Sequence, residues 1–432
     1  MKRKLIFALI GIAALAALAT FAASAAPSVA KADPKQDVVT VWNRTMVDAL
    51  ETAKTPPPPA MRIGALVQSS VFDALNGIER RYTPIHVQPA APPGASRKAA
   101  VVGAAYEVLV AVFPAQKPTF DAQLAASLAQ IGGGGNDQSV QRGLDWGKQV
   151  ADEILAWRAG DGISAVLPPY VQGGLPGDWA PTPPTFAATP AFRQFANMTP
   201  WAMTSPSQFL PPAAPALTSP RYTQDFNEIK AIGGDTSAIR TPFQTETALF
   251  WAGDLPVAMW DRVADDLAEA NHLTLIDNAR LLAQMNVAMA DAVIAIWNAK
   301  NFYDTWRPVT AIQQAGTDSN PDTAPEASWM PLVVTPVHQE YPSGHTAVSN
   351  AAATTLALFH GDQTSYSVTS FGLPGVVHTF ASFSSGAAEV GDARVFAGIH
   401  FRFACDAAFA MGTEIANYVD STVALRVHGP DG

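Results

Sequence analysis

One cysteine, Cys405, stands in 432 residues. A single thiol closes no disulfide within the chain and builds no cysteine metal site, so stability must come from packing. Its surroundings, "FACDAAF", read as a small buried residue on a helix. Charge is sparse, at 15% of residues with a formal net charge of -10. No stretch forms a basic stripe, which argues against nucleic acid as a partner. Strand candidates such as "MPLVVTPV" are few, and no segment repeats at a fixed period. Beyond the N-terminus no apolar run looks long enough to span a bilayer, which argues against a membrane lipid phosphatase.

What is present begins with an export-type N-terminus. "MKRK" supplies a positive region and "LIFALIGIAALAALATFAASA" an apolar stretch ending in small residues. Ala-x-Ala sites end at Ala25 and Ala32, so residues 1–32 read as a signal peptide cut after one of them. The mature protein is then secreted or periplasmic, with no stable membrane anchor. Losing Lys2, Arg3 and Lys4 takes the net charge from -10 to -13.

"VVTVWNRTMVDAL", "MRIGALVQSSVFDALNGIE", "SRKAAVVGAAYEVLVAVF", "PTFDAQLAASLAQI" and "DQSVQRGLDWGKQVADEILAWRA" carry apolar residues at three-to-four spacing. Gly and Pro stretches such as "TPPPPAM" separate them, so five helices are predicted. Residues 163 to about 222 break this pattern with Pro, Trp and Phe. A flexible linker would lack the aromatics, so the stretch reads as an ordered loop and a pocket wall. Helices resume with "YTQDFNEIKAI", "TETALFWAGD" and a long run from Val257 to Trp306. The fold class is all-α: helical bundles joined by long Pro/Trp-rich loops. Residues 33–222 form an N-terminal helical half plus loop, and residues 223–432 a C-terminal bundle.

Three pieces of that bundle carry chemistry. In "KNFYDTWRP", Lys300 and Arg307 are seven apart, on one side of a helix that Pro308 should end or kink. In "EYPSGHTAVSNAAATTLALF", Ser343 suits an N-cap, and the amides of Gly344 and His345 open a helix start fit for an anion. His345 would stand beside it, able to move a proton near neutral pH. In "DARVFAGIHFRFACD", Arg394 and His400 are six apart, so serving one site requires a bend, expected at Gly398. Three cations, two hydrogen-bond donors and two histidines make the inventory for a tetrahedral oxyanion.

Taken together, "K-x6-R-P", "P-S-G-H" and "R-x5-H" in this order resemble the vanadium-dependent haloperoxidases and their acid phosphatase relatives of the phosphatidic acid phosphatase type 2 superfamily. The motifs cover residues 300 to 406. The resemblance implies bound vanadate, whose place phosphate can take. It implies His400 as the single protein ligand to vanadium, and Lys300, Arg307, Ser343, Gly344 and Arg394 around the oxygens. His345 becomes the acid–base residue. Trp297, three before the lysine, and "FWAGD", with Trp251 and Asp254, resemble pocket segments. Hydrogen peroxide, a halide and a small organic acceptor are the implied partners; dimers are common among the relatives. His338 matches a histidine of the algal bromoperoxidases, where chloroperoxidases place an aromatic, and so points to bromide or iodide. The alternative is an exported acid phosphatase working through a phosphohistidine at His400.

The chain departs from the pattern in its third motif. Ala393 replaces a Ser, and Ala404 takes the place of an Asp that would support the histidine; Asp406 faces another side. A backbone carbonyl or Asp254 is expected to substitute for that carboxylate.

Overall fold

A computed structural model of the chain describes residues 37–132 and 137–427. The signal peptide expected over residues 1–32, with both expected cleavage sites, lies outside the described residues.

The five N-terminal helices form as their spacing predicts: α1 (Val38–Thr52), α2 (Pro57–Glu79), α3 (Arg97–Val112), α4 (Lys117–Ile131) and α5 (Gln138–Ala159). One boundary differs. The helix α2 begins inside "TPPPPAM" because proline's fixed φ and missing N–H suit a first helical turn. Then come α6 (Pro220–Ile232), α7 (Pro242–Ala252), α8 (Pro256–Ala270) and α9 (Leu275–Tyr303). The long run from Val257 therefore breaks in two, where the Thr274 side chain accepts from the Asp277 amide and starts α9. The C-terminal helices are α10 (Pro308–Gln313), α11 (Gly344–His360), α12 (Phe383–Phe396) and α13 (Arg402–Thr422). "MPLVVTPV" forms no strand. The described strands instead pair as an antiparallel hairpin, β1 (Tyr366–Thr369) with β2 (Val377–Phe380), in the register Tyr366 opposite Phe380.

The helix α9 is the axis of the protein, packing against α2 on one side and α11 and α13 on another. It is long and apolar enough to cross a bilayer, contrary to the expectation that no later segment is. Its most apolar window is 94% buried inside the protein, the mark of a core helix. One hydrophobic core runs from Val38 to Ala424, so the two halves share it.

The Pro/Trp-rich stretch is ordered, and α9 holds it. Asp291 accepts the backbone amides of Trp201 (2.6 Å), Ala202 (2.9 Å) and Met203 (2.9 Å). Trp297 Nε1 donates to the Ala191 carbonyl at 3.1 Å, and the Asn298 and Asn301 side chains donate to those of Ala196 and Arg193. These positions recur at helical spacing, so one polar face of α9 satisfies a loop that has no ladder of its own.

Candidate active site

Lys300 lies in the last turn of α9, fully buried, and its ammonium donates to the carbonyls of Gln339 (2.7 Å) and Glu340 (2.8 Å). The helix stops three residues later, with Asp304 in the left-handed region (φ 46°). Arg307 follows a short turn and immediately precedes α10. The expectation of one helix carrying both cations is thus corrected: Pro308 opens a helix here, as proline does at a first helical position. Arg307 still reaches the same segment. Its Nε donates to the His338 carbonyl (2.7 Å), and its Nη1 to the Ile399 carbonyl (2.8 Å). The two cations clamp residues 338–340, which lead straight into the Pro-Ser-Gly turn.

Ser343 has N-cap backbone angles (φ -70°, ψ 118°), but its hydroxyl does not cap. It pairs with the Thr346 hydroxyl at 2.9 Å, while its amide donates to the Ala404 carbonyl at 3.1 Å. Among the described residues the amides of Gly344 and His345 have no partner, so the helix presents free N–H groups.

Arg394 sits in the last turn of α12. The bend expected after it is there: α12 stops, and Gly398 takes φ +77°. A Cβ at Gly398 would lie 2.2 Å from the Gly233 carbonyl, so only glycine fits. The turn delivers His400, buried, to Arg307, whose Nη1 lies 3.2 Å from His400 Nε2.

The carboxylate that supports His400 is Glu340. His400 Nδ1 lies 3.0 Å from Glu340 Oε1, which also accepts the Phe401 amide at 3.0 Å. A guanidinium can only donate, so Nε2 is the acceptor and Nδ1 carries the proton towards Glu340. The imidazole therefore presents an Nε2 lone pair, the state a metal-ligating histidine needs. Neither expected substitute supplies this support. Asp254 pairs with Arg262 at 2.5 Å and caps the Phe371 amide, while Ala404 offers its carbonyl to Ser343. Asp406 pairs with Arg221.

Electrostatics mark the place for an anion. Lys300, Arg307 and Arg394 are at most 1% exposed, and Glu340 is the carboxylate set among them. Burial pushes Arg307 and Arg394 down to about 10 and Lys300 well below its ordinary range, with Arg307 adding to the effect on Lys300. Burial raises Glu340 to about 7 against the pull of Lys300 and Arg307. His338, His345 and His400 are all held well below the usual imidazole value, by burial first and the neighbouring cations second. Arg394 Nε and Nη2 have no hydrogen-bond partner. A buried guanidinium with orphaned N–H groups, unpartnered first-turn amides and an excess of positive charge all lack the same thing. A tetrahedral oxyanion, vanadate or phosphate, fits this donor set.

A cavity of about 470 Å³ opens beside these groups, lined by Gly344, His338, His345 and His400. Trp297 lines it too, 5.0 Å from the His338 ring, and Arg307 Nη2 lies 3.0 Å from His338 Nδ1. Ala191 and Phe192 of the Pro/Trp-rich stretch form one wall. Trp251 is not brought here: its Nε1 donates to Glu389 and its ring packs on Trp260, and Asp254 stays with Arg262. Sequence reasoning missed Glu340, although it is the first residue of the quoted "EYPSGH", because its partner lies sixty positions on. It also missed the wall from Pro56, Pro57, Pro58 and Met61, for which no local signal exists.

Residues 280–429 match the family profile described as the VCPO second helical-bundle domain. Over 146 residues the chain is 29% identical to the vanadium chloroperoxidase of Curvularia inaequalis. That stretch is 28% of this chain and 24% of that protein, so the match spans about a quarter of the curated relative's length. A solved structure of a bacterial vanadium-dependent iodoperoxidase aligns with a TM-score of 0.77 at 24% identity, covering 90% of this chain and 97% of that one. A holo-type bacterial vanadium-dependent chloroperoxidase aligns at 0.69 and 18% identity, over 85% and 91%. The fold is the helical fold of these proteins, across both halves of the chain.

Proposed function

We propose, for a chain whose residues 280–429 match the VCPO second helical-bundle domain, that it is an exported vanadium-dependent haloperoxidase. It oxidises bromide or iodide with hydrogen peroxide to hypohalous acid. One observation carries the reading: three buried cations and a neutral, Glu340-oriented His400 surround a place for an oxyanion, next to an apolar cavity. Lys300, Arg307, Arg394, the Ser343 hydroxyl and the Gly344 amide would hold vanadate oxygens, and His400 Nε2 would face the vanadium. Bound vanadate supplies a Lewis-acidic +5 centre on which peroxide and halide react without a redox-active side chain.

The chain's own groups do the rest. His345, held below its ordinary pKa, is unprotonated at neutral pH and takes a proton from incoming peroxide. Lys300, fixed by two carbonyls, keeps a donor beside the reacting oxygen without rotamer freedom. Arg307 holds His338 and His400 on one guanidinium beside the apolar walls of the cavity. His338 at the cavity wall supports bromide or iodide, and residues 1–32 support export.

The test is bromination of a phenol dye by purified protein with peroxide and bromide in phosphate-free buffer, with and without orthovanadate. Vanadate-dependent turnover that vanishes in His400→Ala supports the reading. Absence of bromination, with vanadate-inhibited hydrolysis of an aryl phosphate, would replace it with a phosphatase in which His400 attacks phosphorus.

A further inference from the structure

The cavity beside the histidines is larger than peroxide or a halide requires. We infer that it binds the organic acceptor itself, a neutral aromatic molecule with one hydrogen-bonding edge, such as a phenol or a naphthol. The inference deepens the haloperoxidase reading and rests on it.

The volume of about 470 Å³ lies within the roughly 300–1,000 Å³ of small-molecule sites. Among the described residues the lining comprises thirteen apolar side chains, Gly344 and the three histidines, with no lysine, arginine or carboxylate. A charged acceptor would find polar partners only at the histidine end and would leave the rest of its hydration unreplaced, whereas a flat ring loses little along the apolar walls. The histidines are gathered around Arg307, so the polar groups sit together and leave the remaining walls apolar. A ring with a single hydroxyl matches that division.

The walls are also built in advance. Pro56, Pro57 and Pro58 fix the entrance of α2 beside Met61. Phe192 stands edge-to-face against Trp297, with centroids 6.4 Å apart at 76°. Its backbone occupies the left-handed region at φ 59°, a conformation a phenylalanine rarely adopts, and the surrounding contacts hold it there. The Ala191 amide donates to the Val337 carbonyl at 2.7 Å, tying this wall to the one that carries His338. Three stretches far apart in sequence thus meet in one rigid recess, which lowers the ordering cost of binding. Within it, hypohalous acid and the ring react so that the carbon–halogen bond forms as the oxygen–halogen bond breaks. The ring proton then leaves with the released hydroxide as water.

The experiment titrates 2-naphthol into purified protein by isothermal calorimetry, without vanadate, for wild type, Val337→Trp and Phe192→Ala. Alongside, wild type with orthovanadate is assayed for triiodide formation from iodide and peroxide. Saturable one-to-one binding is expected, weakened about tenfold or more by Val337→Trp, which fills the space. Phe192→Ala should weaken it about 2–10-fold through the lost edge-to-face contact. Absence of saturable binding by wild type overturns the inference, whether or not triiodide forms. So does binding that neither variant alters. Saturable, variant-sensitive binding without triiodide would instead sink the haloperoxidase reading and leave the cavity an aromatic site.

Discussion

Arg394→Met should make the anion-free protein more stable while abolishing its response to anions. The Arg394 guanidinium is 1% exposed, and its Nε and Nη2 lack partners. Burial lowers its pKa from the ordinary guanidinium range to about 10. Below pH 10 the group is charged in both folded and unfolded chains, so the full cost of burying the charge is present at neutral pH. It is relieved only as pH rises above about 10 towards the ordinary guanidinium range. At 1.36 kcal/mol per unit that cost is about 3 kcal/mol. Methionine keeps most of the aliphatic stem and needs no partner, so a gain of about 1–3 kcal/mol is expected after imperfect repacking. The assay is urea unfolding in phosphate-free buffer, with and without orthovanadate. Wild type should gain about 2.7 kcal/mol at a hundredfold excess of vanadate over its Kd, and Arg394→Met nothing. A variant less stable than wild type without anion would refute the reasoning, because Arg394 would then have a native partner.

Four further outcomes follow from the same geometry. Glu340→Leu should weaken vanadate binding about 10–100-fold by freeing the His400 ring, and Glu340→Gln, which keeps an acceptor, should weaken it less; calorimetric affinities decide. Phosphate or vanadate binding at pH 6 should take up protons at His338 and His345, because burial holds both down and the cations that add to its effect are then neutralised. Titration in buffers of different ionisation enthalpy would show no uptake if those histidines lie far from the anion. Asp261, fully buried with a pKa raised to about 7, contributes stability that is complete below 3.8 and lost as pH rises through 7. Asp261→Asn should therefore stabilise the protein at pH 8 by up to about 4 kcal/mol and by little near pH 4, as urea midpoints at the two pH values would report. Asp291→Ala leaves the amides of Trp201, Ala202 and Met203 without their acceptor, about 1–3 kcal/mol each. Faster hydrogen exchange confined to residues 195–205 is the expected signature.

The sequence spoke most clearly where function depends on local order. Ser343, Gly344 and His345 are consecutive, and a helix start exposes its amides whatever surrounds it, so this piece could be read directly. Lys300 and Arg307 meet through a turn and a new helix, not along one helix. Their spacing predicted the meeting for a reason the structure does not use, since Pro308 opens a new helix at its first position and does not end the one that carries Lys300. Glu340 shows the opposite case. Once Ala404 had removed the expected Asp, nothing local said which carboxylate would reach His400, because that is decided by how Lys300 and Arg307 pull residues 338–340 inward. The cavity walls from Pro56 and Met61 were hidden for the same reason: an apolar residue at a helix start reads alike whether it faces the core or a cavity. The hairpin, with four residues to a strand, is too short for alternation to separate it from a loop.

A crystal structure of the protein soaked with orthovanadate would test the central claim most directly. Vanadium within bonding distance of His400 Nε2, with its oxygens on Arg394, Lys300 and the Gly344 amide, is the predicted result. Vanadate bound away from these groups, or an Nε2 turned from the site with Glu340 unpaired, would contradict it.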